Sequence, residues 1–401
     1  MRARQRSLAI SLVYLSGLLA LPANTHAQAK NSMKRSEFFR PLPLTKFYDT
    51  PDPLPPGKPG DLIRSTEFDE YNLPPEVNAI RFLYHSRTTG GDDVPVSGVI
   101  LFPDVKPPAG GWPIIAWAHS WSGVARSCAP SLTRNLQHGP FLAMYVRLGY
   151  AVVATDYAGL GTTFRSAFGD TSSNAWDVIY SVAAARHALP QLGPRWMGMG
   201  TGEGGMAVVR VAELESGLHD SGYLGSVAIS RLGDLQNLYA PAIALTYKLP
   251  LFLAYGIKTA YPQFEVKDML TPVAISLYQK INLECTEGEE DEAGQKWSAT
   301  AMLKPGWENN PFVQKYFDRN RLGGKPSNAP LLVIDSEDDP TINETAKIVT
   351  RLCKAGERVQ FEKLPGSELG REIGDSARDQ MSWIQSRFAN GTPRTNCSDQ
   401  R

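Results

Sequence analysis

Gly200-Thr201-Gly202-Glu203-Gly204 stand between an apolar, strand-like lead and a helix-like run in the stretch MGMGTGEGGMAVVR, which begins at Met197. In that setting a G-x-S-x-G turn is a nucleophile elbow. It presents a serine hydroxyl on a strained strand-to-helix corner, beside backbone N–H groups that can hold an oxyanion. Here the serine's place is taken by Gly202. The corner supplies presentation, not nucleophilicity, so a glycine at its tip leaves nothing to attack with. Thr201 is one position off, and its side chain is expected to point away from the cleft. Glu203 is a candidate acid or base, because a carboxylate beside a cleft can act on water or on a carbon acid. The plainer expectation is a polar side chain that faces the surface after the turn.

The elements that must position this corner are legible as a series. Runs at 79–86 and 94–102, separated by TTGGDD, read as a hairpin. WPIIAWAH at 112–119 and YAVVATD at 150–156 are continuous apolar runs, as expected of strands buried on both faces. Shorter strands are expected at 196–200, 223–230 and 330–335, and helices at 175–189, 206–215 and 375–388. Buried strands alternating with helices predict an α/β fold with a doubly wound, mostly parallel sheet. About a hundred residues separate the strand ending at Ser230 from the one starting near Pro330, too many for a connection, and they read as an inserted unit. The proline-rich stretch 38–60 reads as an extended arm.

Composition narrows the class. The 41 acidic and 41 basic residues balance, with no basic stripe, which argues against a nucleic-acid partner. The first residues carry Arg2, Arg4 and Arg6, then an apolar run over 8–21, then Ala27-Gln28-Ala29, the pattern of a cleaved secretory signal peptide. The expected organisation is therefore a signal peptide at 1–29, a core in two parts at 30–235 and 327–401, and a cap or lid insertion at 236–326. The chain is expected to be secreted or periplasmic, with no stable membrane anchor. Cys128, Cys285, Cys353 and Cys397 contain no C-x-x-C pair, which makes a metal site unexpected. An even count in an oxidising compartment suggests two disulfides. Three pairings are possible from sequence; the preferred one is Cys353–Cys397, which pins the C-terminal tail, with Cys128–Cys285. The acidic cluster DSEDD at 335–339 lacks the ligand spacing of a known calcium loop. The acidic run at 287–292 reads as a solvated loop.

Taken in order, several motifs resemble the secreted, lipase A-like family of α/β-hydrolases. They are FYDTPDPLPPGKPGDLIRS, VPVSGVILFP, AHSWSGVARSCAPS, TDYAGLGT, the elbow, PLLVIDSEDD and MSWIQSRFANG. The resemblance implies an α/β-hydrolase fold with a helical cap insertion and a Ser-Asp-His triad in that chain order. It places the nucleophile at Gly202, the acid at Asp338 and the histidine near Leu369. The oxyanion loop becomes His119-Ser120-Trp121-Ser122-Gly123, with Ser120, Trp121 and Ser122 as pocket residues and the Glu203 N–H as second donor. The histidines are His26, His85, His119, His138, His187 and His219, and all precede Asp338, so no shift of register recovers the third member.

Three functional expectations follow. The first is a lipase-like pseudoenzyme that binds a small apolar or acyl-bearing ligand without a cofactor. The second is an enzyme of different chemistry, a lyase, an isomerase or a water-activated hydrolase, in which Glu203 or His119 acts as acid or base at a surviving oxyanion hole. The third is an active esterase with an unusual nucleophile, which would have to recruit its base from His85, His119 or His138.

Overall fold

A computed structural model describes residues 41–242, 247–283, 285, 298–325, 327, 329–367 and 371–400, without the side chains of 239–242, 299, 399 and 400. Residues 1–40, which contain the expected signal peptide, the acidic run at 287–292, and Leu369 lie outside the described residues.

Nine strands form one sheet in the order β1-β2-β3-β5-β4-β6-β7-β8-β9. They are β1 (Leu62–Glu67), β2 (Val77–Arg87), β3 (Asp93–Pro103), β4 (Trp112–Ala118), β5 (Ala151–Thr155), β6 (Leu192–Thr201), β7 (Tyr223–Ile229), β8 (Leu331–Ser336) and β9 (Val359–Leu364). The first three are antiparallel, β3 meets β5 antiparallel, and every pairing from β5 to β9 is parallel. The fold class read from the sequence is the one observed. Side chains of β4 alternate between two cores: Ile114, Ala116 and Ala118 enter one, Ile115 and Trp117 the other. A strand covered on both faces has no polar side to show, which is why it reads as a continuous apolar run.

Helices supply the two covers. Helices α1 (Gly139–Arg147) and α9 (Ala377–Phe388) put Leu142, Tyr145, Val146, Trp383 and Ile384 into the second core. Helices α2 (Thr171–Ala188) and α3 (Glu203–Leu218) put Val178, Val182, Val208 and Val211 into the first. Helix α2 starts four residues before the expected 175. Asp170 caps it, its carboxylate accepting from Ser173 N at 3.2 Å, and the polar first turn hides the start from an apolar pattern.

Between β7 and β8 the chain makes a helical excursion: α4 (Leu235–Ala242), α5 (Lys248–Ala260), α6 (Pro272–Tyr278) and α7 (Pro311–Asn320), with short 3₁₀ turns between them. Leu251, Phe252 and Ala254 of α5 are buried in the first core. Two devices tie the excursion to the sheet domain. One is the disulfide Cys128–Cys285; Cys353–Cys397 is the second disulfide and holds the C-terminal segment to α8 (Ile342–Lys354). The other is α7, whose Tyr316 hydroxyl donates to Phe168 O at 2.5 Å, whose Arg319 pairs with Asp170, and whose Asn320 accepts from Thr171 N at 2.9 Å. No helix among the described residues is long and apolar enough to cross a membrane.

Candidate functional site

The C-terminal ends of β4, β6, β7 and β8 converge on one cavity of about 250 Å³, the place where parallel sheets of this kind leave a crevice. Its apolar wall is Trp121, Phe168, Met206, Leu235, Leu238, Leu249 and Ile373. Ser120, His138, Glu203, Ser230, Arg231, Thr341 and Glu372 are its polar residues, and Thr201, expected to turn away from the cleft, lines it as well.

Gly202 is the corner between β6 and α3, at φ 54° and ψ −117°. That left-handed backbone is strained for any residue with a Cβ. Here no side chain projects from it. A Cβ built on Gly202 would stand 2.6 Å from the Ser120 hydroxyl. Gly204 answers a different demand. A Cβ on it would lie 2.0 Å from Ala118 O, so only glycine lets the first turn of α3 come down on β4. Gly202 and Glu203, at the head of α3, line the cavity, and the first N–H groups of a helix have no partner within it.

Glu203 begins α3 and lines the cavity, instead of facing the surface as the plainer expectation had it. Its Oε1 accepts from Gly169 N at 2.7 Å and from Asn174 Nδ2 at 3.0 Å. Burial pushes its carboxyl up to about 7, and the two donors offset only part of that. The group is therefore held in one orientation and changes charge close to neutrality.

The loop after β4 divides its residues. Ser120 and Trp121 line the cavity, and Trp121 stands 5.9 Å from the Phe252 ring and 6.5 Å from Phe168, which makes it part of the apolar wall. Ser122, expected beside them, turns into the protein; its hydroxyl is buried with no hydrogen-bond partner among the described residues. His119 is buried and spends its ring on the scaffold. Nδ1 lies 2.5 Å from Ser120 O, Nε2 lies 3.1 Å from Asp156 O, and the ring stacks on Tyr157 at 4.3 Å. Burial lowers it to about 4. His119 thus braces the loop after β4.

Beyond β8, Asp338 is exposed and is not among the residues that line the cavity. The carboxylate that turns inward is Asp339, whose side chain is fully buried. It accepts from Arg231 Nε at 3.2 Å and from Thr341 N and Oγ1, each at 2.6 Å. In the turn after Ser336, Asp338 is exposed and Asp339 buried, so a one-residue difference in alignment separates a solvated carboxylate from a buried one. Arg231, Thr341, Glu372 and His138 reach the cavity with little warning in the sequence. For Arg231 and Asp339 the available signal was position, since each follows the C-terminal end of one of two neighbouring parallel strands. His138 precedes α1 and sets its ring edge-on to Trp117, 5.7 Å between centroids; burial lowers it to about 4. His85 lies apart, on the hairpin, with Nδ1 3.0 Å from Asp93.

No protein-family profile matches the chain, and no curated protein matches it in sequence. Solved structures do match in fold. Candida antarctica lipase A in its closed state superposes with a TM-score of 0.74 at 16% identity, covering 89% of each chain. The ligand-bound form of LipA, a rice cell wall degrading esterase from Xanthomonas oryzae, gives 0.66 at 18% identity, over 83% of this chain and 97% of that one. With its nine-stranded sheet, its β6–α3 corner and these neighbours, the chain is a protein of the α/β-hydrolase fold.

Proposed function

We propose that this chain is a lipase-like pseudoenzyme, which takes a small apolar or acyl-bearing ligand into the cavity and forms no acyl-enzyme at residue 202. The observation that carries the reading is Gly202 itself: the corner keeps the strained backbone of a nucleophile elbow and has no side chain on it. The absence of any histidine after His219 in the sequence supports it, because the acyl-enzyme route needs both groups. Loss of the serine or the histidine alone costs about 10⁶ in turnover in subtilisin, and the losses do not add. The apolar wall and the lipase and esterase among the fold neighbours support the ligand class. The cavity is small beside the roughly 300–1,000 Å³ usual for drug-sized ligands, which favours a short or medium chain. In this reading residues 236–326 act as the cap, residues 1–29 direct export, and the two disulfides fit an oxidising compartment.

The test has two parts. Hydrolysis of p-nitrophenyl butyrate and decanoate should fall about 10⁶-fold short of an active enzyme of this fold. Organic extraction of the purified protein, followed by mass spectrometry, should recover an apolar acyl compound. Turnover at ordinary lipase rates would refute the reading. A second reading is favoured by one observation. Glu203 is an oriented carboxyl pushed up to about 7 beside the N–H groups of α3, and it suits acid–base work on a carbonyl compound by a lyase, isomerase or water-activated route. Non-covalent turnover abolished by Glu203→Gln would establish it in place of the first.

A further inference from the structure

We propose that Ser120 stands in for the missing elbow side chain as the hydroxyl that meets the ligand's acyl carbon, with His138 taking its proton. The inference rests on the reading above that the cavity takes an acyl-bearing ligand. Ser120 Oγ lies 2.6 Å from the point a Cβ on residue 202 would occupy, so it fills the space that an elbow side chain would enter. It reaches that space from the opposite wall, the loop after β4, and it fits there because residue 202 is a glycine.

Both groups are uncommitted. The Ser120 hydroxyl makes no hydrogen bond to a described residue; its carbonyl meets His119 Nδ1. His138 is the one imidazole among the residues lining the cavity, and neither of its nitrogens bonds to a described residue. Of the other histidines described near the sheet, His119 is spent on two carbonyls and His85 on Asp93. Burial keeps His138 neutral at neutral pH, the state that can accept a proton. The Glu203 N–H, at the head of α3 on the cavity wall, is the donor available to the charge that develops on the carbonyl oxygen.

The step balances on these groups alone. A bond forms between Ser120 Oγ and the acyl carbon, and the bond from that carbon to the ester oxygen breaks. The hydroxyl proton passes to His138, directly or across one water, and then to the departing alkoxide. Among the described residues no carboxylate bonds to His138, so transfer is slow and stoichiometric, which distinguishes it from lipase turnover.

The experiment is labelling of the full chain with a decyl fluorophosphonate. The phosphorus–fluorine bond breaks as a bond from Ser120 Oγ forms, and the adduct is read by intact mass and peptide mapping. Binding of decan-2-one, which cannot transfer an acyl group, is followed in parallel by tryptophan fluorescence at Trp121. One adduct on the peptide carrying Ser120 is expected, lost in Ser120→Ala and slowed about 10²-fold in His138→Gln, with the parent's circular dichroism and urea midpoint retained in both variants. No adduct, an adduct on another residue, or labelling unchanged in either variant overturns the inference while ketone binding keeps the ligand reading intact. If the unmodified chain fails to bind the ketone, the ligand reading falls as well.

Discussion

Gly202→Ala is the sharpest test of the corner's geometry. At φ 54° and ψ −117° an added Cβ costs about 1–3 kcal/mol in backbone strain. The same Cβ would lie 2.6 Å from Ser120 Oγ, which must rotate off its place at a further cost of about 0.5–1.5 kcal/mol. Together the variant should lose about 1.5–4.5 kcal/mol. At the usual unfolding entropy per residue, a domain of this size melts about 2–6 °C lower for that loss. The assay is a double-mutant cycle in urea with Ser120→Gly, which empties the contested space. The pair should recover about 0.5–1.5 kcal/mol of the loss, the steric share, and leave the strain. Gly217, in the last turn of the same helix with nothing within 4 Å of its added Cβ, is the control. Its alanine variant should gain about 0.5–1 kcal/mol. A Gly202→Ala protein as stable as the parent would refute both the strained corner and the filled space, and with them the argument that Ser120 occupies the elbow's side-chain site.

Two further outcomes follow from other features. Replacing Cys128 and Cys285 together by serine frees a loop closed over 157 residues, against 44 for Cys353 and Cys397. Loop-closure entropy puts the two losses at about 5 and about 4 kcal/mol, so urea midpoints should rank the first variant below the second. A reversed order would mean that the excursion contributes little to the folded state's closure. Glu203 rises from the usual carboxyl value to about 7 on folding, so the folded state holds a proton that the unfolded chain has released, and its share of stability is lost as pH climbs from about 4.5 through about 7. Glu203→Gln keeps an acceptor for Gly169 N and cannot ionise. Its melting temperature relative to the parent should therefore rise between about pH 5 and about pH 8, and a constant difference would show that the carboxyl is not enclosed.

The centre of the fold was legible because it is apolar on both faces. β4 and β5 announce themselves as unbroken runs, and the hairpin strands β2 and β3 by their turn. The margins were not. β1 is a half-exposed edge strand of sequence LIRSTE, and β9 and α8 alternate polar and apolar residues because each covers only one side. At the site, sequence located the corner and the loop opposite it, because both follow buried strands. It did not reveal that Ser122 turns inward or that Asp339, not Asp338, is the buried carboxylate, since such details depend on the direction of one peptide in a tight turn. His138 comes from a helix start distant in sequence, and only packing against Trp117 brings it to the cavity.

The stretch 168–171 has a kinetic consequence. It is held from the sheet side by Glu203 at the head of α3 and from the excursion side by Tyr316, Arg319 and Asn320 of α7, while Cys285 is bonded to the loop after β4. A door swinging open as one piece would have to break those bonds together. On the proposed ligand reading, a guest would have to pass side chains of the cavity wall, Trp121 and Leu249 among them, moving one at a time on the fast scale of rotamer hops. Selection of such a guest would then turn on its girth more than on its length.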